Sequence, residues 1–593
     1  MSQQPTSPKF ETPTLTQHAM LVVWGLYARQ IGLVQALDQV KLKQKQRQHR
    51  AQTKVLEFLV AMLAGLRHLQ DISRSAHPLD KDQVTAEAWG QPAWADYSGV
   101  SRTLKQLSET EVDALVAALH QVSQPFVQQE VTLALEQQGY LFYDADLTGR
   151  PVSRSSNSYP GTAFGFMGDT VQLGYQAALV SLHSPTYGRI WLSSQLHPGD
   201  TVSVTQVQAL VRAAEVRTGR CPRRRTELLA ARLTQAECIA NAVNEKVDRS
   251  FDQLRTARDK ARDAAQRLAQ GRHQVAQFTA EYQKEGRQPT RHCKLTCAQR
   301  QVATYVARVP RCQTAVAVAE RRLARHEAQL ATAMTLVQQL QQHLTALTAD
   351  NAANAAPIRA IFRLDGGFVS YENAAWLVEM GYEVYLKSRA SAVRDRLLAA
   401  VTPETTWQRV GGNAELTAWS ATRVADAFIY PMNVALARYQ TGDSMRHAVL
   451  LHYGQDDVTT DLVRWFHTYN GRQTIEAGIK EGKGVFQMHH LKVRGTPALR
   501  LQEQLACFAA NFVRFAAHRL ATRHVEAAVL PTHSVKHLVQ VSAHTSAWVH
   551  RDGDVWLLTF TEQSLYAGHA LCFGDKAIQL PLPSSPNFHF CHF

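Results

Sequence analysis

The sequence predicts an α/β protein with a helical N-terminal region, a sheet-bearing core split by a long coiled-coil hairpin, a β-rich insertion and a small β-rich tail. Three observations carry this. Apolar residues follow a helical period from about Ala19 to Gln137, as in Val55, Leu56, Leu59, Val60, Leu63 and Leu66. From Gly139 the period falls to two, through Tyr140 to Leu147, Val171 to Leu182 and Gly188 to Gln195. Between these strands and the next, a period of seven runs Val247, Leu254, Ala261, Leu268, Val275, Tyr282, then Val316, Leu323, Leu330, Val337, Leu344.

Residues 1–137 form the helical region. Within it, Lys41 to Arg50 holds five Lys or Arg and no acid, and Gly99 to Leu104 has the look of a turn entering a recognition helix, which makes Arg102 a candidate DNA contact. Residues 138–217 give an antiparallel meander and a helix from Val202 to Arg217. The hairpin is expected over 218–357, with Gly286, Pro289 and Pro310 interrupting an irregular tip. Residues 358–528 return to α/β: a strand from Ile358 to Leu364, a helix from Tyr371 to Met380, a strand from Tyr382 to Lys387, a β-rich insertion at about 390–457 that includes a strand-like stretch from Thr405 to Tyr430, and helices from Val458 to Arg494 and Leu499 to Arg523. Residues 529–593 form the tail, where Asp552-Gly553 between two alternating runs marks a hairpin.

Composition sets the frame. The chain has 593 residues, too many for one compact core, with 45% hydrophobic and 19% charged residues, which excludes wholesale disorder. Sixty-four Lys and Arg against 50 Asp and Glu give +14, favouring polyanions, nucleic acid ahead of acidic membranes. Eight cysteines without paired spacing point to a reducing cytosol. The polar N-terminus lacks the apolar run of a signal peptide, and Leu505 to Ala521, broken by Asn511, Arg514, His518 and Arg519, reads as a buried helix and not a membrane span.

Three acidic motifs stand where strands or helices can aim them at one point. Asp144 and Asp146 lie two apart on a strand, so they share a face, and a pair of inward carboxylates needs a positive partner, such as a metal ion. Asp365 ends a strand before Gly366 and Gly367, where it serves as turn former or ligand. Tyr469, Arg472, Glu476 and Lys483 recur at helical separations of 3, 4 and 7, which places all four along one face. Four fixed identities at roughly one in twenty each match by chance well under about 0.01 times per chain.

These residues resemble the DDE transposases of bacterial insertion sequences that carry a Tyr-x2-Arg-x3-Glu-x6-Lys signature. The match is complete at Tyr469, Arg472, Glu476 and Lys483. Asp-x-Asp-x-Thr at Asp144 to Thr148 and Arg-x-Asp-x-Gly-Phe at Arg363 to Phe368 are similar to that family's first and second acidic motifs, in the same order. The likeness spans the chain except the hairpin.

The resemblance implies an RNase H-like catalytic core in which Asp146, Asp365 and Glu476 hold two Mg²⁺ or Mn²⁺ ions, with Asp144 as an additional candidate ligand. It implies a DNA transposase that binds the terminal inverted repeats of its element and catalyses cleavage and strand transfer. Tyr469, Arg472 and Lys483 would hold the DNA end, Lys480 and Lys492 would extend the basic surface, and Trp407 or Trp419 in the insertion would either stack on a displaced base or sit in the core. Double-stranded DNA, both element ends and target, is the implied partner, with a homodimer in the synaptic complex, no membrane, and a cytoplasmic, nucleoid-associated location in a bacterial cell.

The hairpin departs from the family pattern, leaving protein pairing and an extended DNA arm open for it. His292, Cys293 and Cys297 near its tip, with Cys312, form a zinc-like cluster whose spacing is not that of the usual knuckles. The alternative function is a catalytically inactive or domesticated transposase acting as a DNA-binding protein; a structural coiled-coil protein and an unrelated metal nuclease of the same fold are further rivals.

Overall fold

A computed structural model of the protein describes residues 12–44, 48–419, 428–442, 444–523, 530–564, 566 and 570–573. The chain is mixed α/β and divides into two compact units, Met1–Pro222 with Ala356–Phe593, and Arg223–Ala355.

The first unit opens with strand β1 (Thr14–Thr16) and helices α1 (Ala19–Gln30), α2 (Leu33–Asp38), α3 (Ala51–Leu63), α4 (Asp71–Arg74), α5 (Gln83–Ala88), α6 (Tyr97–Lys105) and α7 (Glu109–Gln138). Ser108 and Glu111 cap α7 reciprocally, and Gly139 ends it at φ 77°, releasing the chain into the central sheet. The basic run from Lys41 to Arg50 is the link between α2 and α3, with 45–47 outside the described residues, and its Arg50 pairs with Asp38 at 2.9 Å. Gly99 is not a turn residue. Asp96 accepts its N–H at 2.8 Å and starts α6 ahead of it, so Gly99 to Leu104 lies inside that helix.

Then come β2 (Tyr140–Pro151), β3 (Ala163–Met167), β4 (Thr170–Ser184), β5 (Gly188–Pro198) and α8 (Val207–Thr218). After helices α9 (Thr226–Lys284) and α10 (Lys294–Ala353) of the second unit come β6 (Arg359–Leu364), α11 (Tyr371–Glu379), β7 (Glu383–Ser388), α12 (Ser391–Ala399), β8 (Gln408–Arg409), β9 (Ala414–Trp419), β10 (Asn433–Thr441) and β11 (Ser444–Tyr453). These strands make one sheet in the order β3-β4-β2-β6-β7-β11-β10-β9-β8, with β5 also on β4. Strands β2, β4 and β5 are antiparallel neighbours, whereas β2, β6 and β7 run parallel. Since β11 pairs with β7, the β-rich insertion continues the central sheet. The expected strand from Thr405 to Tyr430 is instead β8 and β9; residues 420–427 of it lie outside the described set.

Helices α13 (Leu462–Asn470), α14 (Gln473–Gly484), α15 (Thr496–Arg523) and α16 (Val535–Gln540) follow, then β12 (Ala547–Asp552), β13 (Val555–Phe560) and β14 (Ala570–Phe573). The Leu505 to Ala521 stretch lies in α15, and its polar interruptions are internal ties: Asn511 bonds both backbone groups of Trp191 at 2.9 Å, and Arg514 grips Glu481 at 2.8 Å. Among the described residues no helix is long and apolar enough to cross a membrane. Asp552 opposes Val555 across the two-residue loop Gly553-Asp554, and β1 pairs with β12, so residues 14–16 and 547–573 share one four-stranded sheet. That sheet, the N-terminal helices and α15 bury one continuous apolar core.

The second unit is a hairpin of two helices, α9 (Thr226–Lys284) and α10 (Lys294–Ala353). The ladder through Val247 and Leu254 supplies half of its seam. The other half is Leu229, Ala236, Val243, Ser250, Ala257, Ala264, Gly271 and Phe278, whose small residues conceal the repeat. On α10 the matching pair of ladders runs through Val316 and Leu323 and through Tyr305, His326, Leu340 and Leu347. Ser250 meets the His326 ring across the seam at 2.9 Å, a polar layer that fixes register. Contrary to expectation Pro310 does not end a helix: it sits exposed within α10, where only one ladder bond is forfeited.

Candidate active site

Parallel pairing of β2 with β6 sets the site. Ala145 opposes Leu364, so the next residues, Asp146 and Asp365, stand side by side where β6 ends. Along β2, residues 144, 146, 148 and 150 share one face. Asp144, the candidate additional ligand, is already satisfied: Arg363 Nε and Nη2 donate to its two oxygens at 2.7 Å each, with both side chains buried. Arg150 makes a second buried bidentate pair with Glu503. Asp146 lies between these pairs, 3.6 Å from Arg472 Nη1.

Asp365 performs the turn role and still faces the group. Its Oδ1 accepts the Gly367 N–H, while exposed Arg389 lies 3.8 Å from Oδ2.

The signature residues do not lie on one helix. The expected helix from Val458 to Arg494 breaks at Gly471-Arg472, leaving Tyr469 in the last turn of α13, Arg472 at the N-cap of α14, Glu476 in its first turn and Lys483 in its last. The cause is Arg363, whose Nη1 donates to the Thr468 carbonyl at 3.1 Å and caps the end of α13. A Cβ at Gly471 would lie 2.2 Å from that nitrogen, so only glycine admits the guanidinium. Gly478 does the same for Arg189, whose Cζ would lie 2.1 Å from an added Cβ. Arg189, on β5, bonds the Thr474 carbonyl and Glu481, which fastens α14 to the sheet.

Arg472 is the hub. Its Nη2 bonds Glu476 Oε1, and its Nη1 is buried without a hydrogen-bond partner. Burial pushes the Asp146 carboxyl up to about 6; Arg472 and the Leu147 N–H oppose this, and Asp365 and Glu476 add to it. Arg472 is itself pushed up, because Tyr469, Asp146, Glu476 and Asp365 outweigh burial. Tyr469 is raised to about 12, chiefly by burial, and packs in the apolar cluster under the β insertion. Burial and then Arg150 lower Lys483, while Asp146 pulls it back up. The three carboxylates thus share one field, with Arg472 common to all three, Arg389 at its rim and Lys483 beside Asp146.

These partly exposed carboxylates are hard oxygen donors of the kind that Mg²⁺ or Mn²⁺ takes. Asp146 and Asp365 are neighbours by strand register, while Glu476 is held by Arg472. Among the described residues no three acid, His or Cys side chains already close on a single point.

The remaining candidates scatter. Lys480 is exposed on α14. Lys492 is no part of a free basic surface: its ammonium donates to the Leu66 and Arg67 carbonyls at 2.7 and 2.8 Å, and burial lowers it to about 8. Arg102 is exposed in the last turn of α6, where it helps hold down the Asp96 carboxyl after Ser98, which lowers it most. Trp419 is buried, the core alternative, and Trp407 is half-buried under the Arg438 guanidinium at 4.0 Å. Cys312 stands apart from the other members of the zinc-like cluster, 15 residues along α10 from Cys297, about 22 Å at 1.5 Å per residue, and Cys293 caps α10, its sulfur accepting the Thr296 N–H.

Sequence reasoning missed Arg363, Arg150, Arg189 and Glu503. Arg363 had a signal: on a strand parallel to β2, an arginine two residues before Asp365 faces the acid two residues before Asp146.

No family model and no curated protein matches the chain. Among solved structures, the outer membrane protein VceC from Vibrio cholerae aligns at 13% identity over 74% of this chain and 95% of that one, with a TM-score of 0.08, a likeness too weak to inform fold or function.

Proposed function

We propose that this chain is a DNA transposase with an RNase H-like core, acting by a DDE mechanism through Asp146, Asp365 and Glu476. The observation that carries the reading is the convergence of these carboxylates on Arg472, from two parallel strands and one helix, within a signature that also supplies Tyr469 and Lys483. The mixed sheet, with its acids on β2, at the end of β6 and on α14, agrees with that core.

Asp146 and Asp365 would hold two Mg²⁺ or Mn²⁺ ions, with Glu476 joining them on exchanging Arg472 for metal. Such ions supply activation of a water or 3′-hydroxyl and stabilisation of the leaving oxygen. The chain's own residues bind and orient. Arg472 Nη1 is a buried donor that makes no hydrogen bond, with Asp146 3.6 Å away, and is suited to a phosphate oxygen; Lys483 offers a point charge beside Asp146. Tyr469 is buried too deeply to stack on a base and instead backs Arg472. Double-stranded DNA, as inverted repeats and target, is the substrate, held by a homodimer. The test is metal-dependent cutting and joining of a fragment carrying the element's end.

A further inference from the structure

The second unit holds 22 Lys and Arg against 12 Asp and Glu, so +10 of the chain's +14 resides in residues 223–355. This charge is gathered along one edge. With Val247 and Val316 at heptad position a, and Ser250 and Ala319 at d, the g positions over the distal part of the hairpin include Lys246, Lys260, Arg267, Lys294, Arg308 and Arg322, all exposed and with no acid among the g positions from Lys246 to Arg267 and Lys294 to Arg322. The e positions over those spans hold only Arg258 and Glu320 as charged residues.

Contacts across the hairpin fix which edge is which. Arg258 pairs with Glu320 at 2.8 Å on the e edge, while Arg322 donates to Gln253 at 3.0 Å on the g edge. The register that seats Gln253 beside Arg322 seats Arg267 beside Arg308. Arg267 is tied there to Asp263 at 3.0 Å and to the Tyr305 hydroxyl at 3.2 Å, and both guanidiniums lie exposed on the same edge.

We infer that the g edge is a binding surface for the phosphate backbone of double-stranded DNA, engaged without reading bases. Its cations extend over 28 residues of α10, about 42 Å at 1.5 Å per residue, matching roughly a dozen base pairs of B-DNA. A membrane surface suits it less, because the exposed Phe251 and Val306 lie on the e edge, away from the cations. The inference stands on the hairpin alone and makes no use of the carboxylates.

The test uses the full chain in EDTA, where DNA cannot be cut, so it is independent of the proposed chemistry. Binding to a 30-base-pair duplex of arbitrary sequence is followed by fluorescence anisotropy across a salt series. A variant with Lys260→Gln, Arg267→Gln, Arg308→Gln and Arg322→Gln is expected to bind at least tenfold more weakly at 100 mM salt, with its salt slope reduced by about three to four, near 0.9 per phosphate contact. A control with the same loss of charge elsewhere, Arg255→Gln, Arg258→Gln, Arg262→Gln and Arg272→Gln, stays within threefold of the parent. Lys246→Gln with Lys260→Gln, a milder change should the fourfold variant lose helicity, reduces the slope by about two. Equal losses from both edges, no loss from either, or tighter binding to phosphatidylserine vesicles than to duplex would overturn the assignment.

Discussion

Arg363 and Asp144 form a buried bidentate pair across parallel strands, and each stands two residues before a carboxylate of the candidate site, Asp365 and Asp146. The pair divides labour between neighbouring acids. Asp144 neutralises the arginine that caps α13, leaving Asp146 as the exposed-side acid next to Arg472.

The two aspartates therefore respond oppositely to substitution. Asp144→Ala strands a buried guanidinium and is expected to cost about 3–5 kcal/mol in urea unfolding. Asp146→Asn removes one of three crowded carboxylates and leaves stability in EDTA equal to or above the parent's. Equal destabilisation by both would contradict the division.

Gly478→Ala puts a methyl group where the Arg189 guanidinium lies. The side chain must leave the Thr474 carbonyl and Glu481, and α14 loses its tie to β5. A loss of about 1–3 kcal/mol is expected in thermal or urea unfolding, against near-neutral behaviour for Gly484→Ala, where nothing lies within 4 Å of the added carbon.

Glu57, fully buried in α3, gives the fold a pH dependence. Burial pushes its carboxyl up to about 9 although its Oε2 accepts the Ala95 N–H at 2.9 Å. An acid raised in the folded state contributes stability that is complete below the unfolded value of 4.5 and is lost as pH rises towards 9. Glu57→Gln keeps the acceptor and removes the titration. It is expected to flatten stability across that window and to gain about 3 kcal/mol over the parent at pH 7, on about 1.4 kcal/mol per pH unit. Parallel profiles for the two proteins would show that Glu57 is ionised in the fold.

The fold was legible where one period dominates. Strands at 359–364 and 383–388 and the helix between them appear within a residue or two of their sequence-derived bounds. The long helices were half legible, because Ser250, Ala257, Ala264 and Gly271 hide a second ladder that sequence alone reads as polar or neutral. The break at Gly471 was not legible at all. It depends on Arg363, 108 residues earlier, and no local signal separates a glycine that tolerates a helix from one that admits a guanidinium. The second of the four strands in the meander region, β3, was missed because five residues containing Gly165 show no alternation strong enough to read.

Cutting and joining by the purified protein decides whether the carboxylate group is catalytic. A labelled fragment bearing the element's end is incubated with Mg²⁺, Mn²⁺ or EDTA, beside Asp146→Asn, Asp365→Asn and Glu476→Gln. Cleavage at the end with a joined product, abolished in EDTA and in all three folded variants, is the predicted result. Binding of the end with no cutting in either metal, or cutting that survives loss of Asp146, Asp365 or Glu476, would contradict it.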